Sequence, residues 1–491
     1  MRTMPGILLS ILCTLISCAP ESEVVGLSVD PSSLTFAAEG GEQTFTATAS
    51  RTLTLVPGED WAIVKKEGQK GNTMTVKVTV SKNPAPEERK TKILVVAGDE
   101  KKYVEISQTA RPVSGGTLDG PLPAGLGLGW NMGNHFDAYN EGVSGETAWG
   151  NPKATQAAFE KVKAAGFSSV RIPVTWLGHI GAAPTYKIED AFLDRVAEVV
   201  SYAENVGLYA IVNIHHDGAD SNHWLDIKNA AKDPVVHEQV MAQIEAMWKQ
   251  IAEKFKDKGD FLIFEGFNEI HDGGWGWGDN RKDGGKQYKC MNEWNQAFVD
   301  AVRSTGGKNS DRYLGVPAYC TNVDIAIDSC VMPEDSAEGR LMLAVHCYDP
   351  YLYTLEAEYS EWGHTAETSK KEAGDNEAYL KSVFVKIYDN FISKGIPVYM
   401  GEFGCVNRAT VREQAFQQYY LKYYAKLAKT YGVPALIWDN GASGAGRERH
   451  AFIDHGTGEF CSSAAEAAIN AMVDSYNNDL TLEQVYNNAP K

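Results

Sequence analysis

From Gly125 onward, short apolar runs alternate with amphipathic helical segments, and this alternation limits the fold more than any other feature of the chain. The runs are LGLGWNMG, SVRIPV, LYAIVNIHH, FLIFEGFNE, YLGVPAY, LMLAVHCY, PVYMGEFG and ALIWDNG. Each is too apolar for a strand with one wet face, so each is expected to lie in a parallel sheet covered on both sides. Between them the spacing predicts helices. Over residues 188–205, Phe192, Val196, Val199, Val200 and Ala203 share a face, and Gly207 ends the helix. A second helix stacks Val236, Val240, Ile244, Met247, Ile251 and Phe255 and is expected to stop at Gly259. Eight such units over residues 125–491 predict a closed (β/α)8 barrel, with a doubly wound open sheet as the alternative. Neither GLGLGW nor GWGWG has the GxGxxG frame that opens a dinucleotide-binding helix.

In such a barrel the carboxyl ends of the strands surround one mouth. The sequence puts Arg171 in strand two, His215 and His216 at the end of three, and Asn268 and Glu269 at the end of four. His346 and Tyr348 end strand six, Glu402 ends seven and Trp438 lies in eight. Polar residues at so many converging ends predict one pocket holding two carboxylates, Glu269 and Glu402. Glycoside hydrolysis needs such a pair: a proton donor for the leaving oxygen and a second carboxylate at the anomeric carbon. Either carboxylate alone would ordinarily be half of a structural ion pair. Glu265, deeper in its strand, is read as a buried hydrogen-bonded structural group. Arg171 either supports the pair or is a barrel salt bridge. His215, His216, Asp217 and His223 do not have the H-E-x-x-H spacing of a helical metal site, so no metal and no cofactor are expected. Trp149, Trp176, Trp224, Trp275 and Trp277 either line sugar subsites or pack. The GGWGWG stretch falls in a Gly-rich loop after strand four, where exposed aromatics would meet substrate.

Residues 27–110 differ in character. Segments such as LTFAAEGGEQTFTATAS, TMTVKVTVS, KILVVAG and KKYVEISQTA alternate apolar and polar residues, separated by the turn clusters EGGE, KEGQKGN and NPAPEE. This predicts a small antiparallel, immunoglobulin-like β-sandwich. Residues 111–124, rich in Pro, Gly and Ser, read as a linker. Before the sandwich, residues 1–17 have the basic start and short apolar run of an export signal, too short to span a membrane. The net charge of -18 carries no block of like charge and argues against nucleic acid as a partner. Without Cys13 and Cys18, six scattered cysteines remain and none forms CxxC. Cys320 and Cys330 either pair in an oxidising compartment or stay buried thiols.

The motifs VRIPVTW, VNIHHD, FEGFNEI, VHCYDPY, MGEFG and LIWDNG, in that order, resemble glycoside hydrolase family 5. The stretch GLGLGWNMGNHFDAYNEGVSGETAWGNP is similar to its endoglucanase branch, subfamily 4. The resemblance implies that Glu269 is the acid/base, Glu402 the nucleophile and that the product keeps its β configuration. Arg171 would then orient Glu402 and keep it ionised, since a guanidinium lowers a neighbouring carboxylate's pKa. Asn268 would donate to the sugar 2-hydroxyl, Tyr348 would bond Glu402, and His346 would line the floor. His215 aligns with the family's strand-three histidine, His216 touches substrate or structure, and Trp438 offers a flat face for a pyranose ring. Cys347 and Cys405 interrupt the family pattern and should alternate away from the pocket. The sandwich resembles the BACON modules of Bacteroidetes carbohydrate-active lipoproteins, which implies a spacer or surface-holding role. LISC resembles a lipoprotein signal with Cys18 as the lipidated residue, which implies export and anchoring to the bacterial outer membrane. The expectation is a monomeric, retaining endo-β-1,4-glucanase acting on xyloglucan, mixed-linkage glucan or cellulose-like chains. Mannan and xylan are the nearer alternatives, and a non-catalytic glycan-binding lipoprotein is the reading from another class.

Overall fold

A computed structural model describes residues 25–81, 83, 88–110, 125–218, 223–374 and 376–491. The segments expected to be an export signal, with Cys18, and a linker, residues 111–124, lie outside the described residues. The described residues divide into two compact units, one within residues 25–110 and the other over residues 125–491.

The first unit is a sandwich of two four-stranded sheets. One has the order Ser28–Asp30, Gly41–Thr48, Thr73–Val80, Ala62–Lys70; the other Ser33–Phe36, Glu100–Gln108, Arg89–Ala97, Leu53–Val56. Alternation builds the core: Met74, Val76, Val78 and Val80 point inward from one strand and meet Ile93, Val95, Val104 and Ile106 from the facing sheet. Two details depart from the sequence reading. The short strand Ser33–Phe36 runs parallel to Glu100–Gln108, so the sandwich is not wholly antiparallel. KEGQKGN is also not a turn throughout, because Ala62–Lys70 pairs with Thr73–Val80 as far as Lys70. That strand lies at the edge of its sheet, where lysines and a register shift at Gly68 are tolerated and look like turn chemistry in the sequence.

The second unit is a closed barrel of eight parallel strands. They are β1 (Leu128–Met132), β2 (Ser169–Ile172), β3 (Tyr209–Asn213), β4 (Leu262–Glu265), β5 (Leu314–Asn322), β6 (Leu341–His346), β7 (Val398–Phe403) and β8 (Ala435–Asp439). Outward-facing Val170, Val212, Phe264, Leu343, Met400 and Ile437 are buried in the same core as the helices. Inward-facing Ile211, Ile263, Met342, Ala344 and Leu436 form a separate apolar plug, so the runs are apolar because both faces are covered. The helix expected over 188–205 is Asp190–Val206, closed by Gly207 in the left-handed region at φ 68°. The next is Pro234–Lys254, with Asp233 capping its start and Phe255 its end, four residues before the expected Gly259.

Toward the carboxyl ends the ladders become irregular. Val345 pairs with Met400 but His346 pairs with Glu402, so β7 carries an extra residue that re-aims Glu402 beside His346. Cys347 and Cys405 are buried as packing residues, and Cys320 and Cys330 are separate free thiols.

Candidate active site

Arg171 projects inward from β2 and is fully buried. Its Nε and Nη2 donate to Glu265, with Nη2 2.6 Å from Oε1. Nη1 donates to Glu402 Oε1 at 2.7 Å and to Asn131 Oδ1 at 3.1 Å, and Nη2 also reaches Asn268 Oδ1 at 2.8 Å. One guanidinium thus ties four strands together through its rigid fork. Glu265 further accepts from Asn213 Nδ2 at 2.9 Å and from Tyr399 Oη at 2.6 Å. Burial pushes Glu265 up, but the charge and hydrogen bonds of Arg171 outweigh it and hold the carboxyl below the usual range. Burial beside Glu265 pushes the Tyr399 phenol well up, so it stays protonated and donates.

Above this layer lie the two carboxylates. Glu402 accepts from Arg171 on Oε1 and from Tyr348 Oη on Oε2 at 2.8 Å, so both its oxygens are fixed. Glu269 Oε1 lies 2.7 Å from His346 Nδ1, and that nitrogen is 3.8 Å from Glu402 Oε2. An oxygen of Glu269, an oxygen of Glu402 and a ring nitrogen of His346 all fall within 4.8 Å of one another. Burial raises the Glu269 pKa, while the hydrogen bond and charge of His346 pull it down and prevail. Glu269 also sits at φ 42°, a left-handed backbone that costs a non-glycine residue roughly 1–3 kcal/mol.

His215 Nδ1 lies 3.1 Å from Asn213 Nδ2, which can only donate, so the ring proton is on Nε2, 4.0 Å from Glu402 Oε1. Burial, with His216 and Arg171 adding to it, holds this imidazole neutral, its pKa well below the ordinary value. The ring is parallel to that of Trp438, with centroids 6.1 Å apart. Trp438 packs so closely on Gly133 that a Cβ there would come within 2.5 Å of the indole. His216 stands at the margin, 3.6 Å from Asp137 Oδ2 and with its ring near Trp149. Asp137, His215 and His216 gather three potential metal donors, but the Nε2 proton on His215 opposes ligation. Asp217 and His223 do not join them. Asp217 accepts from Trp176 N and Trp224 Nε1, and His223 Nδ1 bonds the His216 carbonyl.

The structure therefore brings Arg171, His215, Asn268, Glu269, His346, Tyr348, Glu402 and Trp438 into one cluster at the carboxyl ends of the strands, with His216 beside His215. Of the tryptophans left between lining subsites and packing, Trp176 packs: it is fully buried and donates to the Asn213 carbonyl. Trp149, Trp275 and Trp277 are exposed. Asn131, Asn213 and Tyr399 were not anticipated. The available signal was strand alternation, since Asn213 precedes His215 by two residues and Tyr399 shares the inward face with Gly401.

A family model described as cellulase, glycosyl hydrolase family 5, matches residues 134–444, and one described as a putative N-terminal binding domain, BACON, matches residues 52–109. The chain is 33% identical over 497 residues to the xyloglucan-specific endo-beta-1,4-glucanase of Bacteroides ovatus, covering 92% of this chain and 93% of that one. It is 37% identical over 340 residues to Endoglucanase A of Paenibacillus barcinonensis, covering 66% and 82%. The solved structure of a GH5-4 broad specificity endoglucanase from Bacteroides salanitronis is 55% identical with a TM-score of 0.71, over 74% of this chain and 96% of that one. The chain accordingly belongs to glycoside hydrolase family 5, a polysaccharide-acting glycoside hydrolase on a (β/α)8 barrel with a BACON domain before it.

Proposed function

We propose that the protein is a retaining endo-β-1,4-glucanase with Glu402 as nucleophile and Glu269 as acid/base. The supporting observation is the approach of the two carboxylates to within 4.8 Å at their nearest oxygens. Retaining enzymes hold the pair about 5 Å apart, whereas inverting ones need roughly 6.5–9.5 Å to admit a water. In the first step a Glu402 oxygen bonds to the anomeric carbon as the glycosidic bond breaks, and Glu269 gives its proton to the leaving oxygen. In the second step Glu269 takes a proton from water as that water displaces Glu402, restoring the β configuration.

The surrounding groups serve these steps. Arg171 and Tyr348 fix the Glu402 oxygens for in-line attack. Asn268 has its carbonyl oxygen engaged by Arg171, which leaves its amide hydrogens for the sugar 2-hydroxyl. Burial and His346 act on Glu269 in opposite directions. A saccharide packed over the pocket adds to burial and favours the protonated acid, and loss of the Glu402 charge in the ester then favours the base. Trp438 supplies an apolar face to the ring at the cleavage point.

The substrate class is β-1,4-linked glucan. Similarity along nearly the whole chain to a xyloglucan-specific enzyme, and along the barrel to a broad-specificity one, supports xyloglucan together with mixed-linkage or cellulose-like chains. The proposed setting is that of a monomer exported and anchored to the outer membrane through lipidated Cys18, with the BACON domain as a spacer; the LISC stretch supports the anchor.

Reducing-end release from xyloglucan, mixed-linkage β-glucan, carboxymethylcellulose, glucomannan, mannan and xylan tests the activity, with Glu402→Ala as the blank. Proton NMR of the first products should show β-anomers from one or more glucans. First products in the α form would overturn retention, and activity on mannan or xylan alone would overturn the substrate class.

A further inference from the structure

An internal unit of a 1,4-linked glucan carries free hydroxyls only at positions 2, 3 and 6. With the 2-hydroxyl of the unit that bonds to Glu402 facing Asn268, two remain for other groups at the mouth. The loops after β6, β7 and β8 meet there and are zipped through their backbones. Asn407 N donates to the Arg449 carbonyl at 2.7 Å, and the Asn407 carbonyl accepts from Gly446 N at 3.0 Å. Asn440, two residues beyond Trp438, donates from Nδ2 to the Glu448 carbonyl at 2.9 Å and accepts on Oδ1 from His450 N at 3.2 Å. Glu448 N in turn donates to the Leu355 carbonyl at 3.1 Å. His450 and Tyr348 both border Gly404, so this segment runs along the Glu402 side of the mouth. Glu448 is pinned on both sides of its α-carbon.

Two costs fall on this residue. Its φ is 56°, left-handed backbone that disfavours any side chain. Its carboxylate is also an uncompensated anion among anions: among the described residues no hydrogen bond or ion pair holds it, and the adjacent Arg447 turns to Glu356 instead, Nε to Oε2 at 3.1 Å. Partial burial pushes the Glu448 carboxyl pKa up, Arg447 opposes, and the charges of Glu356, Glu269 and Glu402 add to the rise. The Tyr348 phenol, pushed well up by burial and by Glu402 and Glu269, is pushed further by Glu448. Charges act on one another in this way only over short distances. A strained residue that holds an unpaired carboxylate near the catalytic pair gains from a hydrogen-bond donor outside the chain.

We propose that the Glu448 carboxylate accepts a hydrogen bond from the 3- or 6-hydroxyl of the glucosyl unit that becomes bonded to Glu402, and that it thereby selects the sugar at the cleavage point. The proposal rests on Glu402 as nucleophile. A charged acceptor binds a neutral hydroxyl strongly once water is excluded, and a substrate lacking that hydroxyl leaves the carboxylate without its donor. Contact with position 6 would reject xylan, whose units lack that group; contact with position 3 would leave xylan and glucan alike at this point.

The test uses Glu448→Gly and Glu448→Gln with 2-chloro-4-nitrophenyl β-cellotrioside and its analogues lacking the 3- or the 6-hydroxyl on the unit that carries the aryl group. Glycine removes the carboxylate and suits the left-handed backbone, so the melting temperature should not fall. On the full substrate kcat/KM should fall at least tenfold in Glu448→Gly and less in Glu448→Gln, which keeps one acceptor oxygen. Each variant is compared at its own pH optimum, so that an altered charge near Glu269 is not counted as a lost contact. Deleting one of the two hydroxyls should cost the unaltered protein at least tenfold more than it costs Glu448→Gly, and that hydroxyl is the partner. Equal costs in both proteins for both hydroxyls, full activity in Glu448→Gly, or a loss that vanishes at the variant's own optimum would overturn the contact. Glu402→Ala, run in parallel, separates this failure from that of the parent reading: turnover of the aryl glycoside by that variant would remove Glu402 as nucleophile whatever Glu448 does.

Discussion

The two ends of the barrel are made from the same strands and differ in what those strands turn inward. At the amino end Ile211, Ile263, Met342, Ala344 and Leu436 form an apolar plug with almost no exposed surface. One or two inward positions further along, the same strands present Asn213, Glu265, His346 and, beside Met342's neighbour β7, Glu402 around the Arg171 fork. Buried side chains at the amino end stabilise the fold at about 25 cal/mol per Å² of apolar area removed from water. Buried charges at the carboxyl end do not: desolvation cancels much of their attraction, so their net contribution to folding is small. The difference assigns stability to one end and chemistry to the other, and each end can be tested by substitution.

The largest effect is expected from Arg171→Met, which strikes both properties. Glu265 and Glu402 would be left buried without their cation, costing about 3–5 kcal/mol of stability. Activity should fall at least 100-fold, because Glu402 loses its orientation. Urea unfolding and kcat/KM on a glucan measure the two together; a stable and active variant would break the division of roles. Ile263→Ala tests the other end. It should cost about 2–5 kcal/mol as a cavity opens beneath the charges, with kcat/KM unchanged at temperatures where the variant is folded. A large loss of activity in the folded variant would show that the plug also aims the catalytic layer.

A smaller effect comes from His450, buried beside Gly404 with neither ring nitrogen hydrogen-bonded by the protein. Burial holds its pKa down at about 3, with Asp439 and Arg408 pulling in opposite directions. The unfolded chain binds a proton on this residue below pH 6.5, the folded protein only near pH 3. Stability is therefore lost as pH falls through that window, by about 2 kcal/mol at pH 5. His450→Phe should lose less melting temperature between pH 7 and pH 5 than the parent does. An identical pH slope would contradict the assignment.

Much of this was legible from strand periodicity. Apolar runs ending in polar residues located the barrel mouth, and the order of NE, HxY and GEFG placed Glu269, His346, Tyr348 and Glu402 on consecutive parts of one rim. Less legible were groups whose signal is a single amide or phenol inside an apolar run. Asn131 in LGWNM and Tyr399 in VYMGEF look like ordinary strand residues until closure of the barrel faces them toward Arg171 and Glu265. His346 was placed on the floor, and the sequence does not show that its Nδ1 bonds Glu269 while the extra residue in β7 brings Glu402 to 3.8 Å from the same nitrogen. In the sandwich, the edge position of Ala62–Lys70 hid a strand behind lysines, because edge strands are selected against apolar regularity.

The most direct test of the account is to trap the covalent intermediate. In a 2-deoxy-2-fluoro β-cellobioside the fluorine slows both steps and an activated leaving group restores the rate of the first alone, so the glycosyl-enzyme should accumulate. Mass spectrometry of the peptides should then place one added disaccharide on Glu402, with none on Glu269 or in Glu402→Ala. A label on another carboxylate, or hydrolysis that turns over with no labelled species, would contradict Glu402 as the nucleophile held by Arg171 and Tyr348.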